Sequence, residues 1–159
     1  MAAEPLRDDL IQAGETLLAI LDKLGLSPEA AAWIHYHALG DWRYYVASGL
    51  VDTVGRRKVY RLLLDAFEVI EMPEELSVFD VHLESPRGPI FQSIKTVIRA
   101  GEQVRVRFED CFVNGDKFDA FLYRFNPIRK KVADRKQMRA FEAGVKRVVE
   151  NEAPLNGRG

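Results

Sequence analysis

The stretch VRVRFEDCFVNGDKFDAFLYRF, residues 104–125, carries the strongest indication of the fold. Asn114 and Gly115 stand between two runs rich in aromatic and β-branched residues, and this dipeptide suits the type I′ turn of a β-hairpin, in which both central residues adopt positive φ. The first run places alternate residues on one face of a strand, namely Val104, Val106, Phe108, Asp110 and Phe112. The sequence therefore predicts a fourth strand over 104–112 and a fifth over 117–125.

Another hairpin, the first in chain order, is predicted upstream, with strands over 31–37 and 42–50 around a turn at 38–41. The hairpin around Asn114 and Gly115 is then the second. A third strand is predicted over 77–84, because apolar and polar residues alternate there. Phe79, Val81 and Leu83 are expected to face the core, and Asp80, His82 and Glu84 to face outward. Since each hairpin requires an antiparallel pair, the sheet is expected to be mixed or antiparallel.

Apolar residues recur at helical spacing in four further segments. The predicted helices run over 7–24, from the cap-like pair 52–53 to about residue 70, from Pro89 to Gly101, and over about 133–150. The resulting order, α-ββ-α-β-α-ββ-α, predicts an α+β fold: a five-stranded sheet packed with three to four helices. We expect one domain over 1–150 and a disordered tail over 151–159.

Length and composition suit one compact domain, since the chain has 159 residues of which 47% are hydrophobic. Cys111 is the single cysteine, so no disulfide can form within the chain, which suits a reducing compartment. The first ten residues lack the features of a signal peptide, and no apolar run approaches the roughly 18 residues of a membrane span. We expect a cytoplasmic protein that does not insert into a membrane.

Familiar catalytic signatures are missing from the sequence. Gly-x-Ser-x-Gly, Cys-x-x-Cys, His-Glu-x-x-His and Gly-x-Gly-x-x-Gly do not occur, which removes the motif-based indications of a hydrolase, a zinc protease or a dinucleotide enzyme. The expectation leans towards a protein without catalytic activity and without a cofactor, a divalent metal ion being the exception considered below.

Five aromatic residues lie within thirteen positions of the first hairpin: Trp33, Tyr36, Trp42, Tyr44 and Tyr45. Strand alternation directs these rings to both faces of the sheet. Tryptophan and tyrosine are enriched at protein interfaces, so the pattern favours a protein-interaction module that forms a homodimer or joins a larger assembly. Coverage of the second face by a helix of the same chain, or a small-ligand pocket, would also account for it.

The three histidines suggest a metal site. His35 and His37 share one face of the first strand, as Asp80, His82 and Glu84 share one face of the third. If the two strands were neighbours, these groups could bind zinc or a similar divalent ion and support a metal-dependent enzyme. The alternative is an open polar face with ordinary charge pairing.

Charge is distributed unevenly along the chain. Residues 1–80 hold 7 lysine and arginine residues against 14 acidic ones, whereas 81–159 hold 16 against 10. The densest basic cluster consists of Arg129, Lys130, Lys131, Arg135, Lys136 and Arg139. It predicts phosphate contacts in a nucleic-acid-associated protein, an acidic protein partner, or a solvated face that docks onto the acidic half.

Overall fold

The computed structural model describes residues 5–96, 105–126 and 134–152. In chain order its elements are α1 Asp8–Lys23, β1 Ala30–Tyr36, β2 Trp42–Ala47, α2 Leu50–Val54, α3 Arg56–Phe67, a 3-10 turn Val78–Asp80, β3 Val81–Glu84, α4 Pro89–Lys95, β4 Val106–Val113, β5 Asp116–Phe125 and α5 Asp134–Glu152. The predicted α+β class is confirmed, with five helices in the described part of the chain instead of three to four.

The five strands form one mixed sheet in the order β3-β2-β1-β5-β4. The pairs β1/β2, β1/β5 and β4/β5 are antiparallel, and β2/β3 is parallel. A parallel pair needs a crossover connection, and α2 with α3 supplies it between β2 and β3. The result places the first strand at the centre of the sheet, between β2 and β5.

Helices cover both faces of the sheet. On one face, α1, α2, α3 and α5 bury a core that includes Leu17, Val59 and Phe141. On the other face, α4 packs Phe91 and Ile94 against the inward side chains of β1 and β5. Among the described residues, no helix has the length and apolar character to cross a bilayer.

The predicted turn of the second hairpin is confirmed, because Asn114 and Gly115 have φ of 50° and 83°. A β-bulge between Phe108 and Cys111 was not predicted. A bulge adds one residue to a strand and so reverses the alternation beyond it. Phe112, predicted to share the face of Phe108, is therefore 58% exposed.

The prediction of a strand was wrong for the first half of residues 77–84. Val78–Asp80 forms a 3-10 turn, in which the Ser77 backbone N–H donates to Asp80 Oδ2 at 2.8 Å. This local cap competes with strand pairing. Phe79, predicted to face the core, is 83% exposed as a result.

Three other boundaries differ from the prediction. The second helix divides into α2 and α3 at Gly55, whose φ of 88° interrupts the helical backbone, and α2 begins at Leu50, predicted as the last strand residue. Helix α5 continues to Glu152, so residues 151–152 of the predicted tail are helical, while 153–159 lie outside the described residues.

Candidate metal site

Three side chains that can bind a metal ion meet near one end of the central strands. His35 lies in β1 and His37 directly follows that strand, while Asp119 lies in β5 opposite His35. Because alternate residues of a strand share a face, the two histidines project to the same side. One potential ligand atom from each of the three residues lies within 4.8 Å of the others.

Burial and pairing distinguish the three groups. His35 is 4% exposed and Asp119 is 8% exposed, whereas His37 is open to solvent. His37 Nε2 lies 3.0 Å from Asp119 Oδ2. His35 Nδ1 is buried and has no hydrogen-bond partner among the described residues. Buried side-chain polar atoms usually have a partner, so this nitrogen marks the site as unusual.

The β-bulge in β4 holds the carboxylate in place. Asp110, at the bulge, has φ of 56°, and its backbone N–H donates to Asp119 Oδ1 at 2.9 Å. The backbone N–H of His37 donates to the Lys117 carbonyl oxygen at 3.0 Å. These two bonds fix both sides of the cluster and leave Asp119 Oδ2 directed towards His37.

Two rings lie beside the buried His35. The His35 ring centroid lies 5.9 Å from that of His37 and 5.3 Å from that of Trp42. Trp42 also lines a cleft of about 420 Å³, together with Trp33 and Asp80. Trp42 is thus shared between the cluster and this cleft.

Cys111 does not add a thiolate to the cluster. It pairs with Phe118 in the β4/β5 ladder and packs against the core under α4. Burial, and then the nearby carboxylates of Asp119 and Asp110, raise the pKa of the Cys111 thiol. The thiol therefore stays protonated at neutral pH.

The structure does not bring the five predicted ligands together. β2 separates β1 from β3, and His82 stacks on Tyr45, on the face opposite His35, with ring centroids 4.9 Å apart. Glu84 forms an ion pair with Arg56 at 3.3 Å, and Asp80 caps the 3-10 turn. Of the predicted set, His35 and His37 converge, and the inclusion of Asp80, His82 and Glu84 was wrong.

Asp119 was missed because its partners come from distant parts of the chain. The sequence did contain a signal: in the run from Phe118 to Phe125, Asp119 is the single carboxylate among mostly apolar residues. A carboxylate in a strand that is buried on both faces requires a partner.

Two of the predicted interface aromatics serve to hold α1. Trp33 Nε1 donates to the Leu10 carbonyl oxygen at 3.0 Å, and the Tyr44 hydroxyl donates to that of Gly14 at 2.9 Å. Both side chains are buried. The first helix thus covers this face within the chain, which is one of the alternatives that the sequence left open.

The other three aromatics are distributed over both faces. Tyr45 is buried under α4, while Tyr36 and Trp42 are half-buried. Burial, and then the neighbouring Tyr45, raise the pKa of Tyr36 to about 12. Association of two chains through a surface that includes Trp42 or its neighbours stays a prediction.

The described members of the basic cluster are Arg135, Lys136 and Arg139, and all three are exposed on α5. Arg129, Lys130 and Lys131 lie outside the described residues. Phosphate binding by this cluster stays a prediction.

No known protein family matches the sequence, and neither curated proteins nor solved structures are significantly similar to it. The cluster of His35, His37 and Asp119 must therefore be interpreted from its own chemistry.

Proposed function

We propose that this protein binds a divalent transition-metal ion, with zinc as the best-suited ion, through His35, His37 and Asp119. The observation that carries the proposal is the buried Nδ1 of His35, which lacks a hydrogen-bond partner among the described residues. Leaving a buried polar atom unpaired costs about 1–3 kcal/mol. A metal ion bound by the cluster would offset this cost.

The donor set matches the ligand preferences of zinc. Zinc is commonly held by neutral imidazole nitrogens and carboxylate oxygens at about 2.0–2.2 Å, in tetrahedral geometry. In such a site the ligand atoms lie about 3.3 Å from one another. Here the three potential ligand atoms lie within 4.8 Å of one another. Side-chain rotation can close this difference, and His37, being exposed, has the freedom to move.

Outer contacts support the same interpretation. Metal-binding carboxylates are themselves commonly hydrogen-bonded by outer residues, which fix their orientation. The backbone N–H of Asp110 already binds Asp119 Oδ1, which leaves Oδ2 available. His37 Nε2 lies 3.0 Å from this oxygen, so the two groups already face each other.

With three ligands among the described residues, a bound ion would keep a fourth position for water, as in catalytic zinc sites and unlike closed four-ligand structural sites. Zinc lowers the pKa of a bound water to about 7 and so provides a nucleophile near neutral pH. A metal-dependent hydrolytic activity is therefore the reaction class that we propose for this site.

Zinc titration of the chelator-treated protein tests the proposal. We expect one zinc ion per chain by calorimetry and by elemental analysis after gel filtration. Binding should be lost in His37→Ala and in Asp119→Asn, which keeps the side-chain shape and the bond from Asp110. His82→Ala is the matched control, because His82 lies on the other face of the sheet. Loss of zinc in His82→Ala, or its retention in both site variants, would contradict the proposal.

A further inference from the structure

A groove of about 520 Å³ lies between α3 and α5. Its apolar floor is formed by Leu62 and Val69 from the α3 side, and by Val145 and Val149 from α5. Three of these four side chains are only partly buried. Apolar surface therefore stays accessible between two helices that otherwise pack together.

The rim of the groove is mainly acidic. Asp65 and Glu68 line it on one side, and Glu142 and Glu150 on the other. Of the described residues that line it, Lys146 is the one base, and it lies 4.0 Å from Glu150 in an ion pair. The lining thus carries a net negative charge.

We infer that this groove docks a basic amphipathic helix of a partner protein. The residues of α5 that line the groove run from Glu142 to Glu150 and span eight helical positions, or about 12 Å, which matches about two turns of a bound helix. A helix with apolar residues at every third or fourth position would fill such a floor. Lysine or arginine on the flanks of the bound helix would face the acidic rim. This charge complementarity would set the orientation of the helix and favour basic partners.

A second copy of this chain is a poorer fit for the groove. The exposed face of α5 offers the basic residues Arg135 and Arg139, but the apolar stripe of the same helix, including Met138 and Phe141, is buried in its own core. An α5 helix from another copy would therefore bring charge without the apolar face that the floor requires.

A fluorescein-labelled amphipathic peptide of about 14 residues, built from leucine and lysine at helical spacing, is the probe. We expect saturable binding to the full chain by fluorescence anisotropy. In the double variant Asp65→Lys with Glu68→Lys, the dissociation constant should rise about tenfold, since each exposed pair contributes modestly. These substitutions lie at the C-terminal end of α3, where cations favour the helix, so the variant should remain folded.

The control is Asp8→Lys with Glu74→Lys, which changes the net charge equally at exposed positions that do not line the groove. This variant should bind the peptide about as tightly as the parent chain. Amide shifts in NMR spectra should change over residues 62–69 and 142–150. Absence of binding, equal weakening in both double variants, equal binding of a scrambled peptide, or shifts confined to other surfaces would overturn the inference.

Discussion

Replacing His35 with phenylalanine should stabilise the metal-free protein while removing its response to zinc. The imidazole is buried with Nδ1 unpaired, and an unsatisfied buried polar atom costs about 1–3 kcal/mol. Phenylalanine keeps a flat ring against Trp42 but adds some volume to a packed site. We therefore expect the free energy of unfolding of the metal-free variant to rise by about 1 kcal/mol, the lower end of that range.

Zinc should reverse the order of stability. At a free zinc concentration of 100 times the dissociation constant, a ligand that binds the native state alone stabilises it by about 2.7 kcal/mol. The parent chain should gain this amount and His35→Phe should gain little, so the parent becomes the more stable protein when zinc is present.

Urea unfolding followed by tryptophan fluorescence, with chelator and with zinc, measures both effects. His82→Phe is the matched control, because it makes the same substitution on the opposite face and should keep the response to zinc. If His35→Phe lowers the metal-free unfolding free energy by more than about 1 kcal/mol, the imidazole contributes favourable interactions and the unpaired-nitrogen argument fails. If zinc stabilised His35→Phe as much as the parent chain, the assignment of His35 as a metal ligand would also be refuted.

Three other outcomes follow from particular contacts. A Cβ at Gly144 would clash with the Leu24 carbonyl oxygen, so Gly144→Ala should lower the unfolding free energy by about 1–3 kcal/mol despite the helix preference of alanine. Urea unfolding measures this against Ala143→Gly, which should cost about 1 kcal/mol, and stabilisation by Gly144→Ala would contradict the packing. Burial lowers the pKa of His82 in the folded protein, so its contribution to stability is complete above the unfolded pKa of about 6.5 and declines as pH falls through that value. His82→Phe should therefore reduce the loss of unfolding free energy between about pH 7.5 and pH 5.5. An unchanged pH profile would contradict the lowered pKa of His82. The protein should not retain duplex DNA in a gel shift at about 0.1 M salt. If it does, and if Arg139→Ala reduces the slope of log affinity against log salt concentration by about one, the result would instead support phosphate binding.

Local sequence patterns predicted the parts of the structure that local chemistry determines. Asn114 and Gly115 adopt the positive φ that a tight hairpin requires. Gly25 ends the first helix with φ of 87°. The shared facing of His35 and His37 followed from strand periodicity alone, and it holds in the structure.

Strand order could not be predicted, because it depends on contacts between distant segments. One of the three residues of the proposed metal site depends on that order, because Asp119 meets His35 through the β1/β5 pairing. The same order places β2 between β1 and the strand of His82. The bulge that brings the Asp110 N–H to Asp119 is likewise a property of the β4/β5 pair. Neither segment shows this arrangement by itself.

Anomalous diffraction at the zinc edge, from crystals grown with zinc, tests the proposed metal site most directly. We expect one strong peak per chain, at about 2.0–2.2 Å from a nitrogen of His35, a nitrogen of His37 and an oxygen of Asp119. A zinc-containing crystal without a peak among these three residues, or with its main peak beside His82 and Glu84, would contradict the proposal.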